Sequence, residues 1–394
     1  MRTSFNPSNS NGVIRPIIML LVPSLGACSA ATSADDLGSV KQAVGTVCFT
    51  ITDLGTLDGF SVEDAHVNNQ GQIVGDAAET DGAGSRVILW QRGQMINLGT
   101  LGGEQARAEA INDHGQIVGS STTTASTQHA FLWQKGMMID LGTLDGGHDS
   151  SAVDINNLGQ IVGTANTANG PHAVLWQDGA IVDLGTLGGD FSLARHINER
   201  GQIIGDSTTA AGEGHAFLWE GGKMTDLGTL GGDFSAAGDI NERGQIVGSS
   251  ITATGANRAF LWEHGTMLNL GTPLGATLSG ASFINEPGEI VGNWRGGPDG
   301  VQAFFWDRGQ FTDLDAHLGS RTLALSLNNR GQVVGRAVGP AEGPHALLWQ
   351  DGVFTDMGAG LGMASSAQDI NNRGDVVGWN GAGHALLWQT KNCQ

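Results

Sequence analysis

Basic residues are scarce in this chain of 394 residues, which carries 19 lysines and arginines against 39 aspartates and glutamates. A nucleic-acid partner needs a basic face for its phosphates, so the formal net charge of −20 argues against nucleic-acid binding. The acidic residues are scattered singly rather than in blocks, which is typical of a surface that keeps a protein soluble.

Proline and cysteine are also rare, at 9 and 3 residues, and tyrosine is absent. The 63 glycines follow no three-residue period, which excludes a collagen-like chain. They stand at fixed offsets between apolar runs, and such spacing argues against disorder. The chain contains no G-x-S-x-G nucleophile motif, no H-E-x-x-H motif and no P-loop, so the sequence predicts no catalytic residue, no metal and no cofactor.

The apolar stretch near the N-terminus, IIMLLVPSLGA (17–27), is too short for a permanent membrane helix and predicts an export signal over residues 1–28. It ends in LGAC, which resembles the lipobox of bacterial lipoproteins and predicts lipidation of Cys28. Ordinary cleavage near SAATSA is the alternative. Residues 29–46 are small and polar and indicate a flexible tether. We therefore expect a protein outside the cytoplasm, in contact with a membrane only through a lipid anchor.

The dominant feature of the chain is a repeat. Eight LW or FW pairs recur at a spacing of about 43 residues, and they match eight GQIVG-like and eight DLG-like segments. The repeated tryptophans are Trp90, Trp133, Trp176, Trp219, Trp262, Trp306, Trp349 and Trp388.

Each repeat contains four short apolar runs separated by turn residues. In the first turn Asn198 can bind its own backbone and Gly201 can supply a positive φ. In the second turn the pairs Gly221-Gly222, Asp178-Gly179 and Asp351-Gly352 favour type I′ geometry. The repeat is thus a four-stranded antiparallel meander, and the sequence predicts an all-β, eight-bladed propeller over residues 47–394.

The phase of the repeat predicts how the propeller closes. The first strand, TITDL (50–54), is a fourth strand with no blade before it, and the last repeat ends after HALLW (384–388) without a fourth strand. Pairing of these two segments completes the last blade and removes the free edges. This register puts Ile51 near Trp388 and Cys48 opposite Thr390. The sequence then predicts a disulfide between Cys48 and Cys393, with two unpaired thiols as the alternative.

The consensus HAFLW...G.M.DLGTLGG....A..IN..GQIVG resembles the HAF repeat of predicted extracellular bacterial proteins, and the match spans residues 49–388. The resemblance implies an extracellular location and a repeat architecture. It implies no reaction and therefore no catalytic residues.

Five repeats begin their third strand with a His-Ala pair, and three replace the histidine. Equivalent residues on different blades lie too far apart to share a metal ion, so we expect a structural hydrogen bond there. The same symmetry makes the eight repeated tryptophans packing residues between blades. The five histidines are His129, His172, His215, His345 and His384, and Arg86, Arg258 and Gln302 replace them.

Candidate binding residues lie where the variable loops and the crossover segments meet, on one face of the propeller that we call the loop face. Loops on a rigid scaffold often carry binding, and a tryptophan ring at the start of a loop could stack on a glycan. No D-x-D-x-D spacing supplies a calcium site. The predicted binding residues are Asp58, Glu104, Asp145, Asp190, Asp233, Trp294 and Trp379.

The sequence therefore predicts an exported, monomeric propeller that binds an unknown protein or glycan through its loop face without catalysis. Two alternatives stay open. One is an enzyme that cleaves extracellular polysaccharide or peptide with acidic residues of the loop face. The other is a structural scaffold.

Overall fold

A computed structural model describes residues 40–44, 47–57, 60–79, 84–273, 275–296, 300–314, 321–339 and 343–391. All of these residues belong to the compact unit Leu37–Gln394, and the other unit, Met1–Asp36, lies outside the described residues, as does Cys28. The described part of the chain is all-β and contains no helix. Accordingly, it has no helix long and apolar enough to span a membrane.

Successive groups of four antiparallel strands form the sheets, which we number in chain order. Sheet 1 consists of β3 (Phe60–Val67), β4 (Ile73–Glu79), β5 (Ser85–Gln91) and β6 (Gln94–Asn97). Sheet 2 consists of β7 (Gly102–Ile111), β8 (Ile117–Thr123), β9 (Gln128–Gln134) and β10 (Met137–Asp140). Sheet 3 consists of β11 (Ser150–Ile155), β12 (Ile161–Asn166), β13 (Pro171–Gln177) and β14 (Ala180–Asp183). Sheet 4 consists of β15 (Gly188–Ile197), β16 (Ile203–Thr209), β17 (Gly214–Glu220) and β18 (Lys223–Asp226).

The second half of the chain continues in the same way. Sheet 5 consists of β19 (Gly231–Ile240), β20 (Ile246–Thr252), β21 (Asn257–Glu263) and β22 (Thr266–Gly271). Sheet 6 consists of β23 (Leu278–Ile284), β24 (Ile290–Arg295), β25 (Val301–Asp307) and β26 (Gln310–Asp313). Sheet 7 consists of β27 (Arg321–Leu327), β28 (Val333–Gly339), β29 (Gly343–Gln350) and β30 (Val353–Asp356). A single parallel pair, Gly214 with Phe234, joins sheets 4 and 5 into one eight-stranded sheet.

The last sheet, sheet 8, combines both ends of the described chain. Its strands are, in spatial order, β31 (Ser365–Ile370), β32 (Val376–Asn380), β33 (Ala385–Lys391), β2 (Val47–Gly55) and β1 (Val40–Val44). β1 lies within the segment for which the sequence predicted a flexible tether. β2 pairs antiparallel with β33, and Ile51 lies opposite Trp388, as the repeat register predicted.

The cysteine register differs from the prediction by one residue. Cys48 lies opposite Lys391, and Phe49 lies opposite Thr390, because antiparallel pairing without a bulge fixes every partner once Ile51 faces Trp388. The side chain of Cys48 and the whole of Cys393 lie outside the described residues, and the structure gives no support to the predicted disulfide.

The local turn chemistry follows the sequence closely. The Asn198 side-chain oxygen accepts the backbone N–H groups of Arg200 and Gln202 at 3.1 and 3.0 Å, and Gly201 has a φ of +73°. In the second turn Asp178 and Gly179 both have positive φ, at 53° and 77°, which is the type I′ geometry that the Asp-Gly pair favours.

Apolar side chains pack the sheets against one another. Each hydrophobic cluster combines residues of neighbouring sheets; Val62 and Trp90 of sheet 1, for example, share one with Val377 and Ala385 of sheet 8. Six of the eight repeated tryptophans are buried, and Trp388 is fully enclosed. Large buried side chains of this kind each contribute about 1.5–3 kcal/mol to folding, so the predicted packing role of the tryptophans is confirmed.

A chain of asparagine hydrogen bonds also links the sheets. The asparagine that opens the first turn of each sheet donates from Nδ2 to the backbone carbonyl of the equivalent asparagine in the next sheet, at 2.8 to 3.1 Å. Asn371 of sheet 8 donates to Asn68 of sheet 1 at 2.9 Å, so the bonds return to their starting residue. We call this set the asparagine circuit; its members are Asn68, Asn112, Asn156, Asn198, Asn241, Asn285, Asn328 and Asn371.

Candidate functional site

The acidic residues predicted on the loop face do not form a site. Glu104, Asp145, Asp190 and Asp233 are exposed, and each belongs to a different sheet or its lead-in segment. Within the described part of the chain no side-chain contact joins them, and no cluster of histidine, cysteine, aspartate and glutamate could hold a metal. Asp58 lies outside the described residues.

The two tryptophans predicted to offer exposed rings lie elsewhere. Trp294 belongs to β24, is only 6% exposed and packs in a cluster with Phe304 and Trp306. Trp379 is half-buried in β32, opposite Ser366 and Ala385. The expectation of an exposed stacking ring is wrong for Trp294, because the side-chain alternation of β24 directs that position into the core between sheets.

The repeated histidines make structural hydrogen bonds, as expected. In each of the five sheets the histidine Nδ1 donates to the carboxylate of the aspartate in the DLG segment of the adjacent strand, at 2.8 to 3.1 Å. The pairs are His129–Asp140, His172–Asp183, His215–Asp226, His345–Asp356 and His384–Asp53. The last pair joins the residue immediately before β33 to β2 and therefore links the two ends of the described chain.

Where arginine replaces the histidine, asparagine replaces the aspartate. Arg86 occurs in the same repeat as Asn97, and Arg258 occurs in the same repeat as Asn269. Each arginine donates instead to a backbone carbonyl of the next sheet's first strand or of its lead-in segment; Arg258 bonds Thr277 at 2.8 Å. The histidine thus uses the carboxylate as its hydrogen-bond partner, whereas the arginine uses a backbone carbonyl.

The strongest concentration of perturbed ionisable groups lies on the first strands of the sheets. These strands contact one another from sheet to sheet, and β31 contacts β3. Asp154, His196 and Asp239 occupy the same position of the repeat in sheets 3, 4 and 5, two residues before the circuit asparagine. His196 Nδ1 lies 3.5 Å from Asp154 Oδ2, and the His196 side chain is 43% exposed. We call these three residues the inner trio.

Both aspartates of the inner trio also bind the backbone. Asp154 accepts the N–H of Ile155 at 2.8 Å and of Ile197 in the next sheet at 3.0 Å. Asp239 accepts those of Ile240 and Ile284 at 2.7 and 2.9 Å. These bonds hold the carboxylates in place and link neighbouring sheets.

The environment shifts the pKa of two members of the inner trio, Asp239 and His196. Burial raises the pKa of Asp239 above its ordinary value, against the charge of His196 and the two backbone bonds that lower it. Partial burial also lowers the pKa of His196, but the interaction with Asp154 and the charges of Asp239 and Asp154 outweigh it, so its pKa is raised. His196 is therefore a stronger base, and Asp239 a weaker acid, than either is in water.

A second set of ionisable residues with perturbed pKa values lies on sheets 1 and 2. Burial raises the pKa of Asp76 to about 7, against its hydrogen bond from Ala108 N and the charge of His66, while Glu109 and Asp64 raise it further. Burial also raises the pKa of Glu109. Asp76 is only 8% exposed and accepts the Ala108 N–H at 2.7 Å, so its first role is to join sheets 1 and 2.

Sequence reasoning missed the inner trio. Its signal is the residue two positions before the circuit asparagine, which is ionisable in five of the eight repeats: His66, Asp154, His196, Asp239 and Asp369. The acidic loop residues recur beside glycines and therefore form a visible pattern, whereas the burial that perturbs the pKa of a carboxyl cannot be read from a single sequence.

No family model matches the chain, and no curated protein matches its sequence. The resemblance to the HAF repeat therefore stays a prediction. The chain is similar in structure to the β-propeller domain of the Trilobed protease from Pyrococcus furiosus, which has an open velcro topology. That likeness has a TM-score of 0.50 and 9% identity and covers 84% of this chain and 97% of the other.

Two further structures are similar to this chain. One is Porphyromonas gingivalis dipeptidyl peptidase 4, with a TM-score of 0.54, 8% identity and coverage of 87% of this chain and 63% of that one. The other is puromycin hydrolase, with a TM-score of 0.51, 13% identity and coverage of 78% and 54%. The chain thus spans less than two thirds of both enzymes. At these identities the likenesses establish a β-propeller fold.

These likenesses overturn the prediction of a non-catalytic module that binds a glycan or protein through its loop face. The similar structures are named as a protease, a dipeptidyl peptidase and a puromycin hydrolase, and the alternative that the sequence left open is an enzyme that cleaves polysaccharide or peptide. The exposed acids of the loop face are unsuited to that role, because they lie apart on separate sheets.

Proposed function

We propose that this chain is an eight-bladed, closed β-propeller that hydrolyses peptide bonds at its inner trio. Two observations support the closed ring: the pairing of β2 with β33, and the return of the asparagine circuit from Asn371 to Asn68. In such a ring the first strands line a central channel, where an extended peptide can reach His196. Export and lipidation at Cys28 stay predictions from the sequence.

The observation that carries the proposed reaction is that two neighbouring groups of the inner trio, Asp239 and His196, both have a raised pKa. A carboxylate whose pKa is raised is a better general base, and an imidazole whose pKa is raised keeps its proton to higher pH and can act as a general acid. Asp239 takes a proton from water as the water oxygen bonds the peptide carbonyl carbon. The C–N bond then breaks, and His196 donates its proton to the leaving amine. Asp154 holds the imidazole.

The pH dependence of the reaction follows from the same shifts. Activity rises as Asp239 loses its proton, above the ordinary value of 3.8, and falls as His196 loses its proton, above the ordinary value of 6.5. We expect a bell-shaped profile of kcat/KM with both limbs displaced toward higher pH, measured on a peptide that the protein cleaves.

The direct test is peptide hydrolysis by the full chain, with products identified by mass spectrometry from a mixture of unmodified peptides. His196→Gln is expected to lower turnover by at least about a hundredfold, the usual contribution of a general acid or base. The matched control is His172→Gln, which removes a histidine that is hydrogen-bonded to Asp183 and lies outside the inner trio. It is expected to keep wild-type turnover.

Two results would reject this function. One is the absence of cleavage by folded wild-type protein across the peptide mixture. The other is a turnover of His196→Gln that equals that of His172→Gln. The second candidate, a structural scaffold, would then be favoured, because the inner carboxylates already join neighbouring sheets through backbone bonds.

A further inference from the structure

One of the five histidine–aspartate pairs faces a side-chain hydroxyl. In sheet 2, His129 Nδ1 lies 2.8 Å from Asp140 Oδ2 and 2.9 Å from Oδ1, and His129 Nε2 lies 3.4 Å from Thr127 Oγ1. The order hydroxyl, imidazole, carboxylate is the arrangement by which a base activates a nucleophile, and the hydroxyl-to-base distance is often longer without substrate.

The hydrogen bonds determine which imidazole nitrogen can accept a proton. Both oxygens of Asp140 are acceptors, so Nδ1 carries the hydrogen and Nε2 keeps its lone pair for Thr127. Asp140 also accepts the N–H of Gly142 at 2.8 Å, which fixes the carboxylate. The pair is therefore held in the tautomer that a general base requires.

The hydroxyl itself is held in a tight turn between β8 and β9. Thr123 N donates to Thr127 O at 2.9 Å, and the two threonine hydroxyls lie 2.8 Å apart. Thr123 Oγ1 accepts the N–H of Ala125 at 3.2 Å, so it can donate its own hydrogen to Thr127. The hydrogen of Thr127 is then free to point toward His129.

None of the other four sheets has a serine or threonine at the position of Thr127. The residue two positions before the histidine is Gly170, Glu213, Gly343 or Ala382 in those sheets. The structural role that all five pairs share does not require Thr127. Thr127 is half-buried, and the His129 side chain is 21% exposed, so a small electrophile can approach from the loop.

We propose that Thr127 is a nucleophile activated by His129, and that it accepts the acyl group of an activated carboxylic ester. Thr127 Oγ1 bonds the ester carbonyl carbon while His129 Nε2 takes the hydroxyl proton. The bond from that carbon to the leaving oxygen then breaks, and the proton passes from Nε2 to the leaving group. This site is independent of the inner trio and of the peptide hydrolysis proposed there.

The test uses p-nitrophenyl acetate on the full chain, with the acetylated residues identified by peptide mapping. Wild type is expected to gain an acetyl group on Thr127. His129→Gln is expected to lower that rate about a hundredfold, the scale of general-base assistance. His172→Gln, which removes the same kind of pair in a sheet without the hydroxyl, is expected to label Thr127 at the wild-type rate.

Thr127→Ser keeps the hydroxyl and relieves crowding at the nucleophile, so residue 127 is expected to acetylate at least as fast as in wild type. Acetylation confined to lysines in folded wild-type protein overturns the proposal. So does a Thr127 rate that is the same in His129→Gln and His172→Gln.

Discussion

Asp76→Asn is expected to stabilise the protein at pH 8 by several kcal/mol more than it does at pH 4. Asp76 is buried between sheets 1 and 2, and burial raises its pKa from the ordinary 3.8 to about 7. A carboxyl whose folded pKa lies above its unfolded pKa stabilises the fold only while it is protonated. Its contribution is complete below pH 3.8 and is lost as the pH rises to about 7.

The size of the effect follows from the shift. One pKa unit corresponds to about 1.4 kcal/mol, so a shift from 3.8 to about 7 amounts to a loss on the order of 4 kcal/mol above neutrality. Asparagine keeps an oxygen for the Ala108 N–H, which Asp76 accepts at 2.7 Å, and never ionises. Urea unfolding at pH 4 and pH 8 measures the difference directly.

The control for this prediction is Asp145→Asn, which changes an exposed carboxyl in a lead-in segment. Its free energy of unfolding is expected to stay within about 0.5 kcal/mol of wild type at both pH values. An Asp76→Asn variant that is less stable than wild type by the same amount at both pH values would show that the buried charge carries no penalty.

Asn371→Ala is expected to lower the free energy of unfolding by about 3–5 kcal/mol, because it removes four hydrogen bonds made by one buried side chain. The Asn371 side chain is 5% exposed and donates to Asn68 O and to the Asp375 carboxylate, both at 2.9 Å. Its oxygen accepts the N–H groups of Arg373 and Asp375 at 3.0 and 2.9 Å. The substitution removes all four bonds.

The neighbouring Asn372 provides the matched control. It is exposed, and its side chain accepts one bond, from Asn329 N at 2.9 Å. Asn372→Ala is therefore expected to cost about 0.5–1.5 kcal/mol. Equal losses in the two variants, measured from urea midpoints at an unchanged slope, would contradict a stabilising role for the asparagine circuit.

Local chemistry made the strands and turns predictable from the sequence. Asn198 and Gly201 predict the first hairpin through their own backbone preferences, and the pair Asp178-Gly179 predicts the second. The pairing of Ile51 with Trp388 followed from the phase of the repeat alone. Each of these depends on residues close in sequence or on strict periodicity.

The contacts between sheets were not predictable in this way. That Asn371 donates to Asn68, or that Asp154 accepts the N–H of Ile197, depends on how whole sheets face one another. Burial places the Trp294 ring in the core and raises the pKa of Asp239. A single sequence without relatives contains no measure of burial. The candidate site consequently lies on the first strands of the sheets and not on the loops.

A designed disulfide between β2 and β33 tests the closure of the ring most directly. Thr52 and Leu387 lie opposite one another and are both half-buried, so cysteines there should be close enough to bond. In a chain whose three native cysteines are replaced by serine, Thr52→Cys with Leu387→Cys is expected to form an intramolecular disulfide under mild oxidation. The control pair, Thr52→Cys with Leu386→Cys, points to opposite faces and is expected to stay reduced. Free thiols, or only intermolecular disulfides, in the first pair would contradict a propeller that is closed by the pairing of β2 with β33.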